Sequence, residues 1–188
     1  EAIAIDDLVR DPVEVVAGFD SIPHPRIPLP VDLYRSQGQD RDNSMGINLA
    51  NDDALRALAA ELNNAGSGSW TAAPLVPGAS ASGERIAVTN PADRRETVGH
   101  WQSGDAAAVE RAIANALAAQ PAWDATPVDT RAALLEKAAD LLESRIAHYM
   151  AMCTKEAGKT MPDGVAEVRE AVDFLRYYAL EARKAFTV

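Results

Sequence analysis

The sequence predicts a mainly helical layer with a short β-hairpin, preceded by a proline-rich connector. Three observations support this prediction. Hydrophobic residues recur at helical spacing in several long segments, two β-prone runs flank a turn, and four prolines fall within residues 23–30. By themselves, these patterns indicate only a helical layer that packs on another element.

We interpret residues 1–66 as a connector that carries one short helix. Proline lacks a backbone donor and restricts the residue before it, so residues 22–30 cannot form a helix. Asn51 can cap a helix further on, which Gly66 is placed to end, and its leucines share one face: Leu55, Leu58 and Leu62. Residues 67–84, rich in glycine, proline and serine, are predicted to be a loop.

The main fold is expected over residues 85–188. Residues 86–89 and 96–101 are β-prone and are predicted to pair as a hairpin. Asp105 can cap the next helix, which is expected to end before Pro121 and has an apolar face: Val109, Ala112, Ile113, Ala116 and Leu117.

Two more helices are predicted after Pro121. Thr126 is expected to cap a long one that ends at Gly158, with an apolar stripe: Leu134, Ala138, Leu141, Leu142, Arg145, Tyr149 and Cys153. Thr160 with Asp163 caps the last helix, whose packing seam alternates spacings of three and four: Val165, Val168, Val172, Leu175, Ala179, Ala182 and Phe186.

Composition excludes several classes of partner. The chain has 28 acidic and 18 basic residues, so its net charge of -10 disfavours nucleic acid and anionic membranes. No apolar run approaches the roughly 20 residues that span a bilayer, so no membrane insertion is expected. The single Cys153 excludes an internal disulfide and indicates a cytoplasmic setting, and the three scattered histidines show no metal-ligand spacing.

Short motifs in the second half resemble the aldehyde dehydrogenase family. They occur in the family's order: Val88-Thr89-Asn90-Pro91-Ala92, Arg131-Ala132-Ala133-Leu134-Leu135 and Glu156-Ala157-Gly158-Lys159-Thr160. The resemblance covers about residues 85–188. It implies an α/β aldehyde dehydrogenase fold, present here only as its mainly helical N-terminal part with a short β-hairpin.

The first half resembles the connector of the bifunctional proline utilisation A family. The matching residues are His24-Pro25-Arg26-Ile27-Pro28-Leu29-Pro30, Asp32-Leu33-Tyr34 and Asn43-Ser44. That family joins an FAD-dependent proline dehydrogenase to an enzyme that oxidises L-glutamate γ-semialdehyde to L-glutamate with NAD. The resemblance implies that this chain is an inactive part of such an enzyme and that its partner is the remainder of the dehydrogenase domain.

The resemblance also directs the choice of site residues. The family's catalytic cysteine, glutamate and asparagine match positions beyond Val188, so no catalytic, cofactor-binding or metal-binding residue is expected in this chain. Cys153 is interpreted as a packed thiol. Glu170 matches the carboxylate that meets the substrate ammonium at the mouth of the aldehyde pocket, and Glu167 shares its helix face. On the residues alone, both would be solvated surface glutamates.

An alternative from a different class is a non-enzymatic helical scaffold or interaction module. In that hypothesis, the seam from Val165 to Phe186 docks on a partner or on a second copy, giving a homo-oligomer.

Overall fold

The computed structural model describes residues 3–24 and 26–186, which divide into two compact units between Asn43 and Ser44. Pro25, part of the predicted proline-rich run, lies outside the described residues. The first unit contains helices α1 (Ile5–Leu8) and α2 (Pro12–Ala17) and two 3-10 turns (Pro30–Asp32 and Arg35–Gln37). The first part of the predicted connector therefore contains short helices that the sequence did not reveal.

The second unit contains the remaining eight elements: α3 (Asp52–Ala65), β1 (Trp70–Ala72), β2 (Arg85–Thr89), β3 (Thr97–Gln102), α4 (Ala106–Asp124), α5 (Val128–Glu143), α6 (Ile146–Ala157) and α7 (Met161–Phe186). The connector was predicted to end near residue 66, whereas in the structure α3 belongs to the second unit. The reason is that Leu58 of α3 is buried in one cluster with Met150 of α6. Among the described residues, every helix is too short or too polar to cross a bilayer.

The strands form one small sheet in the order β1-β3-β2. β2 and β3 pair antiparallel, which confirms the predicted hairpin. β1 runs parallel to β3 with Trp70 opposite Gly99, although residues 67–84 were expected to be loop. A Cβ at position 99 would lie 2.2 Å from the Trp70 carbonyl oxygen, so only glycine permits this close approach.

Helix α7 packs along α5 and α6, and the predicted seam faces them. Four seam residues are buried (Val165, Val168, Val172 and Ala179), and only Phe186 at the end is exposed, by 62%. The seam is thus covered within the chain and is not a free surface for a partner or a second copy.

Three local predictions on α4 and α5 were wrong. α4 continues through Pro121 to Asp124: the proline removes one helical hydrogen bond, but the following turn still forms, because Ala125 N donates to the Pro121 carbonyl. Thr126 does not cap α5: its hydroxyl donates to the carbonyl of Ala122, and Pro127 precedes the helix.

The third wrong prediction is the single long helix, which breaks at Ser144 and Arg145. The break changes which residues face inward: of the predicted stripe, Leu142 and Tyr149 pack against the core. Leu134 and Leu141 are exposed by 53% and 42%, and the buried positions are Ala132, Ala139, Ala147, Met150 and Ala151.

The predicted caps with local partners are confirmed. The Asn51 carboxamide oxygen accepts from the backbone N–H groups of Asp53 and Ala54, both at 3.0 Å. Gly158 ends α6 with a left-handed φ of 67°. The Thr160 hydroxyl donates to the Asp163 carboxylate at 2.7 Å at the start of α7.

An ion pair joins the hairpin to α6 and predicts a pH effect. The Glu96 carboxylate accepts from the Lys155 ammonium and from the Asn90 side chain, and these hydrogen bonds, the one from Lys155 first, lower the pKa of Glu96. Because the pKa is lower in the folded state, the stabilisation is full above the unfolded pKa of about 4.3 and disappears as the pH falls through the folded value.

We therefore expect Glu96→Gln to lower the melting temperature at pH 7 and to lower it less at about pH 3, where the carboxylate is more protonated. Thermal unfolding of the wild type and of Glu96→Gln between these pH values measures the difference in melting temperature. Glu61→Gln on the exposed surface of α3 is the control and should show no such trend. A difference between wild type and Glu96→Gln that is the same at both pH values would contradict the assignment.

Candidate functional site

One face of α7 points away from the seam and carries a carboxylate beside aromatic rings. With 3.6 residues per turn, four residues lie on the side of α7 opposite the buried Val172: Glu170, Phe174, Tyr177 and Tyr178. The rings of Phe174 and Tyr178 stack at 6.1 Å between centroids, and Tyr177 meets Tyr178 edge-on at 5.2 Å. We call these four residues the outward face. It combines a negative charge with flat apolar surface.

The two candidate glutamates differ in their partners. Glu167 Oε1 accepts from Lys159 Nζ at 2.6 Å, a contact that raises the pKa of Lys159. Glu170 is exposed and has no hydrogen-bond or ion-pair partner among the described residues. The structure therefore places both on the surface of α7 but leaves only Glu170 free to meet an incoming cation.

A polar network lies along one flank of the outward face. Ser44 N and Oγ donate to the Asp173 carboxylate at 2.9 and 2.6 Å, and Arg169 Nε donates to Ser44 Oγ at 3.1 Å. Arg176 donates to Glu143 of α5 at 2.8 Å. The bond between Ser44 and Asp173 could not be predicted from the sequence, because these residues are 129 positions apart in the chain.

Cys153 is not suited to nucleophilic attack. It is half-buried in α6. Burial, followed by the charge of Glu167, raises the pKa of its thiol above the ordinary value. The thiol is therefore protonated at neutral pH, and a thiolate is the form that attacks carbonyl carbons.

The described residues do not fit the pyrophosphate of NAD. Such a site needs free N–H groups at a helix N-terminus that follows a strand. The described chain has one direct strand-to-helix junction, from β3 to α4. Its N-terminus is capped by Asp105, whose carboxylate accepts from Ala108 N at 2.8 Å and has a pKa lowered by that bond. A negative charge thus lies where the pyrophosphate would bind.

Two other features of the described residues bear on ligand binding. A cavity of about 360 Å³ lies between the small sheet and α6, where the His148 ring meets Trp70 edge-on at 6.0 Å and Tyr149 at 5.4 Å. No group of three histidine, cysteine, aspartate or glutamate side chains within residues 3–24 and 26–186 could hold a metal ion.

The sequence profile of the aldehyde dehydrogenase family matches residues 78–187, more than half of the chain. The chain belongs to the aldehyde dehydrogenase family. The match includes the outward face of α7 and the whole of α4 to α7, so these helices are the family's N-terminal helices.

This aldehyde dehydrogenase chain is also similar to longer proteins. It is 43% identical over 190 residues to the bifunctional protein PutA of Klebsiella aerogenes, covering 98% of this chain and 14% of that protein. It is 35% identical over 100 residues to a 1-pyrroline-5-carboxylate dehydrogenase of Bacillus subtilis, covering 53% of this chain and 19% of that one. The chain therefore spans about a seventh of the length of the first of these relatives.

Solved structures of the same two kinds of protein are similar to this chain. The crystal structure of proline utilization A from Bdellovibrio bacteriovorus has a TM-score of 0.70 at 26% identity, covering 76% of this chain and 15% of that one. A 1-pyrroline-5-carboxylate dehydrogenase from Thermus, solved with bound NAD, has a TM-score of 0.67 at 30% identity, covering 74% of this chain and 28% of that one. The fold is thus the mainly helical N-terminal part of the α/β aldehyde dehydrogenase fold.

Proposed function

We propose that this chain is part of a bifunctional enzyme of proline catabolism that oxidises L-glutamate γ-semialdehyde to L-glutamate. The aldehyde, water and NAD⁺ give the carboxylate, NADH and two protons. The proposal is supported by the similarity to PutA along 98% of the chain and to separate 1-pyrroline-5-carboxylate dehydrogenases over about half of it. In it, residues 1–66 are the connector, residues 67–84 join it to the domain, and residues 85–188 begin the dehydrogenase domain.

The remainder of the parent protein supplies the other parts in this proposal. The rest of the dehydrogenase domain is the partner of this chain and holds the nucleophile, the base and NAD, the hydride acceptor. FAD belongs to the proline dehydrogenase module. The setting is cytoplasmic, in keeping with the free thiol of Cys153. A homo-oligomer remains a prediction for the parent protein.

The observation that carries the substrate assignment is the unpaired Glu170 carboxylate beside exposed aromatic rings. L-Glutamate γ-semialdehyde has an ammonium group at one end of a short methylene chain and the aldehyde at the other. The ammonium can donate charge-assisted hydrogen bonds to Glu170, while the methylene groups lie against Phe174. Glu167 adds negative potential nearby, but its charge is balanced by Lys159.

A specificity measurement on the full-length protein tests this role of Glu170. We expect Glu170→Ala to lower kcat/KM for glutamate semialdehyde by about tenfold or more, because a charged hydrogen bond is lost. An aliphatic aldehyde without an ammonium group should be used almost as well as before.

The matched control is Glu167→Ala on the same helix face. Because Glu167 is already paired with Lys159, its loss should change the preference between the two aldehydes much less. Equal losses for both aldehydes with Glu170→Ala would remove the proposed ammonium contact.

A further inference from the structure

The segment of residues 44–49, which we call the strap, crosses the flank of α7 next to the outward face. Ser44 is only 2% exposed, although it is polar. Its hydroxyl donates to Asp173 Oδ2 at 2.6 Å and accepts from Arg169 Nε at 3.1 Å, and its backbone N–H donates to Asp173 Oδ1 at 2.9 Å. One residue therefore holds two consecutive turns of α7.

The strap is itself fixed to the rest of the unit. Met45 N donates to Glu143 Oε1 of α5 at 2.5 Å, and the same carboxylate accepts from Arg176 of α7. Ile47 and Leu49 pack against the hydrophobic core. Since the strap is anchored to α5 and to the core, Ser44 can restrain α7 rather than merely follow it.

The two residues that Ser44 holds lie on either side of Glu170 in the chain. At about 100° per residue, Asp173 and Arg169 lie about 60° and 100° from Glu170 around the helix axis, in the same direction. The seam restrains the opposite side of α7 through Val168 and Val172. Together, the seam and the strap restrain the rotation of α7 about its axis, and hence the direction in which the Cα–Cβ bond of Glu170 leaves the helix.

We propose that Ser44 is a positioning residue that aims the Glu170 carboxylate at the substrate ammonium. This inference rests on the proposed function, because it requires Glu170 to bind that group. Without the hydroxyl, Asp173 loses a donor and Arg169 loses an acceptor, so the flank of α7 is held less firmly. Ser44 does not touch the substrate and acts only through Glu170.

The test uses steady-state kinetics of the full-length enzyme with glutamate semialdehyde and with an aliphatic aldehyde. We expect Ser44→Ala to raise KM for the semialdehyde about three- to tenfold, the effect of losing one or two neutral hydrogen bonds, with kcat little changed. KM for the aliphatic aldehyde should not change. Ser67→Ala, which removes a hydroxyl that donates to the nearby Asn64 carbonyl, is the matched control and should alter neither KM value.

A double variant separates positioning from a general structural effect. If Ser44 acts through Glu170, adding Ser44→Ala to Glu170→Ala should raise KM no further. Asp173→Asn, which keeps the side-chain volume, provides a second route to the same contact if Ser44→Ala folds poorly. It should show the same selective rise in KM.

The outcomes distinguish this inference from the proposed function. If Glu170→Ala is selective for the semialdehyde but Ser44→Ala and Asp173→Asn are not, the positioning role is overturned and the proposed function stands. Equal losses for both aldehydes with Ser44→Ala, or additive effects in the double variant, also overturn it. If Glu170→Ala is itself unselective, both proposals fail.

Discussion

Replacing Arg176 with methionine is expected to lower the free energy of unfolding by about 3 kcal/mol. The Arg176 side chain is only 10% exposed and donates to both oxygens of Glu143, at 3.3 and 2.8 Å, and to Asp140 at 3.2 Å. Burial opposes its charge, but the hydrogen bonds with Glu143 and Asp140 outweigh burial and raise its pKa. The variant would leave the Glu143 carboxylate, 18% exposed, without this guanidinium.

Urea unfolding of the chain measures this loss, and two further variants define its cause. Replacing both partners, Arg176→Met with Glu143→Leu, should cost less than the single change, because no buried charge then loses its partner. Arg56→Met is the control, since Arg56 pairs with Asp53 on the exposed surface of α3. If Arg176→Met were no more harmful than Arg56→Met, the buried network would not stabilise the fold.

Shortening Met150 to alanine should lower the free energy of unfolding by about 3 kcal/mol through the cavity that it leaves. Met150 is 1% exposed and belongs to the cluster that joins α3, α6 and α7 through Leu58, Val165 and Val168. Its side chain also lies against Gly164, where an added Cβ would be 3.3 Å from the Met150 Cγ.

Chemical denaturation again measures the effect, with Met45→Ala as the matched control. Met45 is 57% exposed, and its hydrogen bond to Glu143 of α5 uses the backbone N–H, so loss of its side chain should change stability little. Similar midpoints for the two variants would show that Met150 does not fill a tightly packed site.

Features determined by neighbouring residues could be predicted from the sequence. The Asn51 cap, the left-handed Gly158 and the Thr160–Asp163 cap each depend on groups within a few positions, so the residue types suffice to identify them. The seam of α7 was predictable for a similar reason, because its spacing of three and four repeats over many turns.

Features determined by distant residues could not be predicted. Nothing at Ser144 and Arg145 is a strong helix breaker, and the turn there depends on where Ala139 and Met150 pack. β1 has only three residues and depends on its pairing with Gly99.

The candidate site also contains features that could be predicted from the sequence and features that could not. Glu170 was identified through the family resemblance, and its role remains a proposal. The pairing of Glu167 with Lys159 could be seen only when the turn at Gly158 brought α6 and α7 together. The contact between Ser44 and α7 could be recognised only in the three-dimensional structure. Nothing in the sequence around Ser44 indicates a hydrogen bond to a helix more than a hundred residues away.

In α7, the residues that pack against the core and the residues that face outward are different, and this difference determines which substitutions the helix tolerates. Val168 and Val172 hold the helix in place, whereas Glu170 and Phe174 face outward and contribute little to that packing. A single substitution at an outward position can therefore alter the charge or shape of this surface while the helix stays where it is. In the proposed pocket, a change at an outward position would therefore alter the preference among aldehydes without loss of the fold.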